Sequence, residues 1–216
     1  MIMSHPCTMG TEHRVQQRSK EWFELRRKVL LTASVFCEAV GIGKGKPYDF
    51  FMHLLQDVNE EEPEVQNRFT EHGIAMEEIM KELYVLLSGS RIRDSGFWTP
   101  HKDSCLKYLI GASPDGIVYD DGEASPPLGL VEFKAPVYKM YSGNRLIGGI
   151  PRHYMTQVQG QMAVCGAPWC DFLAVCKNTK EIVLKRVFFH PGYWSNISHT
   201  LKLFCHALQV LADTCI

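Results

Sequence analysis

A short apolar strand that carries two opposite charges constrains this chain more than any other feature. The segment 130–135 reads L-V-E-F-K-A, and only Glu132 and Lys134 interrupt its apolar run. Because successive side chains of a strand point to opposite faces, the two charges share one face while their neighbours face the core. A half-exposed strand with a surface ion pair has the same local pattern, so the surrounding sequence has to decide between the two interpretations.

An aspartate precedes this strand at the bend between two apolar segments. Asp115 stands in the sequence G-A-S-P-D-G, and an Asp-Gly dipeptide is by itself typical of a turn. A hairpin that placed Asp115 beside Glu132 would bring together two carboxylates and the ammonium of Lys134. Carboxylate oxygens suit Mg²⁺, which keeps bound waters and polarises a phosphodiester, while a lysine holds or deprotonates the attacking water.

The order of predicted elements indicates an α/β domain with a mixed sheet. The 216 residues, 45% of them hydrophobic, fit one large domain. We expect residues 1–18 to form an irregular arm and residues 19–216 a single domain. Helices are predicted at 19–30, 32–41, 47–58, 64–87 (or from 69), 151–165 and 193–212, strands at 92–99, 108–112, 115–119, 130–135, 172–177 and 181–189, and turns at 59–63 and 120–127.

Charge, cysteine usage and the N-terminal residues limit the cellular context. Residues 1–20 contain no apolar signal region, and no apolar run reaches the ~18 residues of a membrane span. We therefore expect an intracellular protein of the cytoplasm or nucleus, without secretion or membrane contact. The eight cysteines are expected to be reduced, although Cys165, Cys170 and Cys176 leave a zinc or iron–sulfur site open. A formal net charge of −1 requires any nucleic-acid contact to use local clusters, such as 26–28 and 44–46, which otherwise are solvated surface.

Five segments in order resemble the lambda-exonuclease branch of the PD-(D/E)xK nucleases, the viral recombinase nucleases. Three of them are the S-P-D-G turn at 113–116, the E-F-K strand at 132–134 and the helix G-I-A-M-E at 73–77. The others are W-F-E-L-R at 22–26 followed by L-T-A-S at 31–34, and the P-x-x-Y-x-x-Q helix from Pro151 through Gln157 to Gln161. The resemblance covers residues 19–166 and implies a restriction-endonuclease-like core, in which helices flank a mixed central sheet.

The resemblance also implies a metal centre. Asp115, Glu132 and the backbone carbonyl of Phe133 would bind Mg²⁺, for which Mn²⁺ would substitute, and Glu77 would bind the metal through water. Lys134 would orient the nucleophilic water, and Gln157 would steady the lysine or the water. For Glu77 the alternative is a solvated helix carboxylate, like Glu78 and Glu82 beside it. Gln157 has Gln159 and Gln161 as alternatives.

Two further positions match residues that grip a DNA 5′-phosphate in that branch. Arg26 would supply a forked guanidinium and Ser34 a hydroxyl near a helix N-terminus, with Arg27 and Lys28 as alternatives to Arg26. The implied activity is magnesium-dependent exonucleolytic hydrolysis of linear double-stranded DNA from the 5′ end, for recombination or end processing. A trimeric ring and a single-strand annealing protein as partner are also implied. The alternatives are a structure- or site-specific endonuclease with the same core, an iron–sulfur relative, and an inactive fold that binds DNA or protein.

Overall fold

The computed structural model describes residues 9–57, 68–119, 127–143 and 146–214. The helices are α1 (Lys20–Arg27), α2 (Phe36–Ala39), α3 (Pro47–Asp57), α4 (Arg68–Ser88), α5 (Arg152–Cys165) and α6 (Pro191–Thr214). The strands are β1 (Thr11–His13), β2 (Leu31–Thr32), β3 (Ile92–Asp94), β4 (Phe97–Thr99), β5 (Ile110–Gly111), β6 (Gly116–Val118), β7 (Gly129–Lys134), β8 (Leu146–Ile147), β9 (Ile150–Pro151), β10 (Trp169–Val175) and β11 (Ile182–Phe188).

Five strands form a mixed sheet in the order β11-β10-β7-β6-β3. Strands β7 and β10 are parallel, and the other neighbouring pairs are antiparallel. Strand β7 lies in the middle, and its residues Leu130 and Val131 are both 0% exposed although they point to opposite faces. A strand covered on both faces is typical of the parallel part of an α/β sheet. The predicted mixed central sheet flanked by helices is confirmed.

Helices cover the two faces of the sheet separately. On one face Leu130 and Phe172 belong to the main core together with Val158 and Met162 of α5. On the other face Val131 and Phe133 pack with two fully buried side chains of α4, Met80 and Tyr84. The even-numbered residues of β7, including Glu132 and Lys134, therefore face α5, and the odd-numbered ones face α4.

The predicted single strand at 92–99 is wrong, because two short strands occupy this segment. Strand β3 pairs with β6 in the main sheet, whereas β4 pairs with β1. At the break, a Cβ on Gly96 would lie 2.0 Å from the carbonyl oxygen of His13. The close approach of β1 therefore requires a glycine there and turns the chain from one sheet to the other.

Strand β1 lies inside the segment that was predicted as an irregular arm, so that prediction is wrong for Thr11–His13. Contacts with residues far along the chain stabilise this strand. The carboxylate of Glu12 accepts two hydrogen bonds from the guanidinium of Arg93, both 2.7 Å long. These contacts join residues far apart in the sequence, which local periodicity does not report. The predicted division into an arm and one domain stays a prediction.

Helix α1 begins as predicted and ends early. The Ser19 side chain caps it by accepting a hydrogen bond from the Trp22 amide at 3.2 Å. The helix ends at Arg27 instead of continuing to residue 30, because the amides of Leu30 and Leu31 both donate to the Leu109 carbonyl as β2 joins β5. The next predicted helix is also shorter: a 3₁₀ turn at Ala33–Val35 precedes α2, and Thr32 stands at its start without a side-chain cap.

The remaining predicted elements are present with their ends shifted, except where the structure does not describe them. The predicted turn at 59–63 and, apart from Pro127, the turn at 120–127 lie outside the described residues.

The described cysteines are free thiols: Cys37, Cys105, Cys165, Cys170, Cys176 and Cys205. None of the described helices is long and apolar enough to cross a membrane.

Candidate active site

The hairpin β6–β7 carries the central carboxylates. Gly116 pairs with Val131, so Asp115, directly before β6, comes beside Glu132 on β7. The Asp115 carboxylate accepts a hydrogen bond of 2.6 Å from the backbone N–H of Phe133. The hairpin predicted from the sequence is therefore present. We call Asp115 and Glu132 the carboxylate pair.

Three side chains hold Glu132 at the centre of the site. Its Oε1 accepts hydrogen bonds from Lys134 Nζ at 2.5 Å and from Gln157 Nε2 at 2.7 Å. Its Oε2 accepts one from Gln161 Nε2 at 2.8 Å. The residue is 2% exposed, so these three donors compensate a carboxylate that has lost water. Glu132 is thus a fixed, buried carboxylate and not a surface ion-pair partner.

Like charges and burial perturb the carboxylate pair. Burial, and then the nearby charge of Glu132, raise the pKa of Asp115 well above its usual range. Two adjacent carboxylates that repel each other favour a bound cation, and their hard oxygens suit Mg²⁺ or Mn²⁺. The donor set therefore fits a divalent metal, although no three His, Cys, Asp or Glu side chains of the described residues form a ready-made ligand cluster.

Lys134 is held as an ammonium by its surroundings. Burial alone lowers the pKa of Lys134, but the nearby carboxylates of Glu132 and Asp115 outweigh burial, and the net direction is upward. Its Nζ also lies 4.8 Å from the centre of the Tyr154 ring, in a cation–π contact. As an ammonium, Lys134 can donate hydrogen bonds to a water molecule or to a negatively charged oxygen.

Helix α4 brings Glu77 to the same region. Its carboxylate forms ion pairs with Arg18 at 3.0 Å and with Lys81 at 3.7 Å. Glu77 lines two clefts together with Asp115, and its negative charge contributes to raising the pKa of Asp115. Of the alternatives, the side chain of Glu78 is 80% exposed and Glu82 is also exposed.

A cavity of about 280 Å³ joins the carboxylate pair to the predicted phosphate-binding residues. We call it the central cavity. Its lining includes Gln17, Arg18, Trp22, Arg26, Thr32, Ser34, Ser113, Asp115, Glu132, Lys134, Gln157 and Gln161. Six of the predicted site residues, which the sequence spreads from position 26 to position 157, thus line one cavity: Arg26, Ser34, Asp115, Glu132, Lys134 and Gln157.

Contacts around Trp22 fix the position of Arg26. The Arg26 guanidinium lies 4.4 Å from the centre of the Trp22 ring, and the indole N–H donates to Ser113 Oγ at 2.9 Å. Arg27 is exposed and does not line the central cavity. Among the cations of α1, the structure therefore turns Arg26 toward the carboxylate pair. Ser34 contacts Thr32 through their hydroxyls at 3.1 Å.

Helix α5 separates the three glutamines. Gln157 and Gln161 both donate to Glu132, whereas Gln159 donates to the Phe188 carbonyl at 2.9 Å on the other side of the helix. Gln157 therefore contacts the Glu132 carboxylate, whereas the resemblance implied that it steadies the lysine or the water. Gln161 was not predicted as a site residue, although its i,i+4 spacing from Gln157 is the signal that points to it. No sequence signal pointed to Arg18.

Comparisons with known proteins show the family of this chain. A model of the YqaJ-like viral recombinase domain matches residues 21–168. The chain belongs to this family. An uncharacterized protein of Acanthamoeba polyphaga mimivirus is 30% identical over 171 residues, which are 75% of this chain and 29% of that protein. The chain thus spans less than a third of that relative's length.

Solved structures show the same fold. The alkaline exonuclease of Laribacter hongkongensis is 23% identical and matches with TM-scores of 0.72 for its complex with dAMP and 0.70 for a second structure, over 91% of this chain and 96% of that one. A phage-related exonuclease from Haemophilus somnus is 12% identical, with a TM-score of 0.56 over 86% of this chain and 94% of that one. The YqaJ-like domain therefore has a PD-(D/E)xK-type fold.

Proposed function

We propose that this YqaJ-like protein is a magnesium-dependent deoxyribonuclease that degrades linear double-stranded DNA from the 5′ end, for recombination or DNA end processing. One observation carries the proposal. A single cavity contains the carboxylate pair and Lys134, which suit phosphodiester hydrolysis, together with Arg26 and Ser34, which suit a terminal phosphate. The proteins of similar structure are exonucleases, which supports the same activity.

Each residue of the site has a defined task in this proposal. Asp115, Glu132 and the carbonyl of Phe133 would hold the metal, which supplies charge stabilisation at the phosphate and a more acidic bound water. Lys134 orients the attacking water through its ammonium. Gln157 keeps Glu132 in place by its hydrogen bond. Glu77 would reach the metal through water.

A second cleft supports DNA as the substrate. This basic cleft, of about 580 Å³, is lined by Lys44, Lys139, Arg152 and His153, and its described lining contains no carboxylate. It shares Tyr141 with a cleft that contains Asp115 and Lys134. A local cluster of cations of this kind can bind DNA phosphates even though the net charge of the chain is −1.

The decisive experiment compares three duplex substrates with purified protein and Mg²⁺: linear DNA with 5′-phosphate, linear DNA with 5′-hydroxyl, and closed circles. We expect rapid loss of the 5′-phosphorylated substrate, slower loss of the 5′-hydroxyl form and intact circles. Rapid nicking of circles would instead support a structure- or site-specific endonuclease. No cleavage of any substrate, with binding retained, would support an inactive DNA-binding fold.

Arg26 should create the preference for a terminal phosphate. We expect Arg26→Ala to lower the rate on 5′-phosphorylated ends by about 10- to 100-fold, because a charge-assisted bidentate contact is lost, and to leave the rate on 5′-hydroxyl ends nearly unchanged. Arg27→Ala is the matched control, since it removes the same charge from the exposed neighbour on α1. Equal losses on both substrates, or equal losses in both variants, would contradict the assignment of Arg26.

The assembly is expected to be a closed homotrimer that surrounds the DNA, working beside a single-strand annealing protein in an intracellular compartment. A heterologous interface that closes on itself forms such a ring. Helix α4 supports self-association, because Ile79 and Leu86, 55% and 79% exposed, present apolar surface. Light scattering should give about three times the chain mass of 24.6 kDa. A stable monomer that dissociates from DNA after a few nucleotides would contradict the ring and leave the chemistry unaffected.

A further inference from the structure

Arg18 occupies a backbone conformation that a long side chain rarely adopts. Its φ of +66° lies in the left-handed region, which it shares among the described non-glycine residues only with Tyr108 and Lys180. Glycine adopts this conformation at little cost, whereas other residues are strained in it. Strain of this kind concentrates at functional sites, where surrounding contacts enforce it.

Hydrogen bonds connect the turn that contains Arg18 to the strand end that carries Asp115. The side-chain amide of Gln17 donates to the Pro114 carbonyl at 2.8 Å and to the Ser95 carbonyl at 3.0 Å. Pro114 directly precedes Asp115. Ser19, on the other side of Arg18, caps α1. The two hydrogen bonds of Gln17 therefore hold the backbone of Arg18 next to the strand end that carries Asp115.

Arg18 lies where three clefts meet. It lines the central cavity and two larger clefts, of about 560 and 600 Å³, both of which Glu77 also lines. Asp115 also lines all three clefts, and no other described residue does so. A DNA strand that reaches Asp115 through any of these clefts therefore passes Arg18.

The position and charge of the Arg18 guanidinium suit it to bind a phosphate. Its side chain is 42% exposed, and it contacts Glu77 through Nη1 at 3.0 Å. A guanidinium has five N–H donors, and its planar fork matches two oxygens of a phosphate. The ion pair with Glu77 is partly exposed, so exchanging it for a phosphate costs little.

From these observations we infer that Arg18 is a substrate-binding residue of the proposed active site, and that it grips an internal phosphodiester of the DNA strand beside Asp115. The contact is distinct from the one to the terminal phosphate, which involves Arg26. Binding exchanges the Glu77 carboxylate for the phosphate oxygens on the same guanidinium. This inference rests on the proposed deoxyribonuclease function.

The test uses Arg18→Gly, because glycine suits the left-handed backbone and preserves the turn. The variant should melt at the wild-type temperature or above it. Its kcat/KM on linear DNA should fall about 10- to 100-fold, the loss of one charge-assisted contact. In Ca²⁺, which we expect to support binding with little cleavage, the slope of log K against log salt should shrink by about one phosphate contact. Lys20→Ala, which removes an exposed charge nearby on α1, should leave kcat/KM unchanged.

Two further variants separate substrate binding from a purely structural ion pair. Arg18→Lys keeps the charge without the fork, so the salt dependence should return while kcat/KM recovers only in part. An unchanged salt slope in Arg18→Gly, with a loss of activity equal to that of Glu77→Gln, would show that Arg18 acts only through Glu77 and overturn the inference. Wild-type kcat/KM in Arg18→Gly would overturn it as well. Failure of the wild-type protein to cut any DNA would contradict the proposed function itself, and the salt slope would still test Arg18.

Discussion

Replacement of any one of Asp115, Glu132 and Lys134 should reduce DNA cleavage by on the order of 10³-fold or more while the protein remains folded. Asp115→Asn and Glu132→Gln keep the shapes of the side chains and remove the charges that would hold the metal. Lys134→Ala removes the ammonium that would orient the attacking water. When several residues act as one catalytic unit, replacing any one of them already removes most of the activity. The cleavage rate of the double variants should therefore be only slightly lower than that of the single variants. The measurement is the initial rate on 5′-phosphorylated linear duplex with Mg²⁺.

The control is Glu82→Gln, which removes an exposed carboxylate on α4 and should keep nearly full activity. Wild-type turnover in any of the three variants would disprove the assignment of the centre. Calcium in place of Mg²⁺ should preserve binding and suppress cleavage, because the larger ion accepts looser geometry.

Asp115→Asn should also raise the melting temperature when divalent metal is removed. Burial and the charge of Glu132 raise the pKa of Asp115 in the folded state. The folded state therefore favours the protonated acid, and stability is lost as the pH rises from the unfolded pKa through the folded one. Asparagine avoids this penalty, so its advantage should be largest at neutral and alkaline pH and vanish in acid. Melting curves in a chelator across that range test the sign, and a lower melting temperature for the variant at neutral pH would contradict it.

The largest effect on stability is expected from Asp171, on the strand beside β7. This residue is 3% exposed, and its carboxylate accepts hydrogen bonds from Arg186 Nε and Nη2 and from the Tyr84 hydroxyl, all at 2.8 Å. The Arg186 guanidinium also lies 3.7 Å from the centre of the Trp169 ring. Asp171 therefore connects α4 with β10 and β11 through hydrogen bonds. These contacts lie on the face of the sheet that does not contain the carboxylate pair.

We expect Asp171→Ala to lower the free energy of unfolding by about 2–4 kcal/mol, because it leaves the buried Tyr84 hydroxyl and the Arg186 guanidinium without their acceptor. For a chain of this length the melting temperature should fall by about 4–16 °C. Asp103→Ala removes an aspartate that is 77% exposed and should change the free energy of unfolding by less than about 0.5 kcal/mol. Chemical denaturation measures both variants, and equal stabilities would show that the buried network contributes nothing.

Local patterns were sufficient for the elements that hold the carboxylate pair. The two charges in the apolar run, Glu132 and Lys134, are two residues apart, the Asp-Gly bend before the run permits a hairpin, and Ser19 is a good helix cap. Each of these signals acts between residues close in sequence, where sterics and hydrogen bonding restrict the backbone strongly. The order of the motifs also indicated the family, since together they are far more specific than any one of them.

The tertiary structure decided what depends on contacts between distant residues. The amphipathic pattern of α1 does not say whether Arg26 or Arg27 faces the site, and the stacking of Arg26 on Trp22 decides it. The pairing of β1 with β4 splits a segment whose pattern indicates one strand. Likewise, only the fold shows that Arg18 lies close to Asp115. Its position depends on the hydrogen bonds of its neighbour Gln17 to strand ends far along the chain. Periodicity reports which faces of an element are apolar, whereas the rotation of a helix and the partner of a strand are set by long-range packing, which overrides local preference.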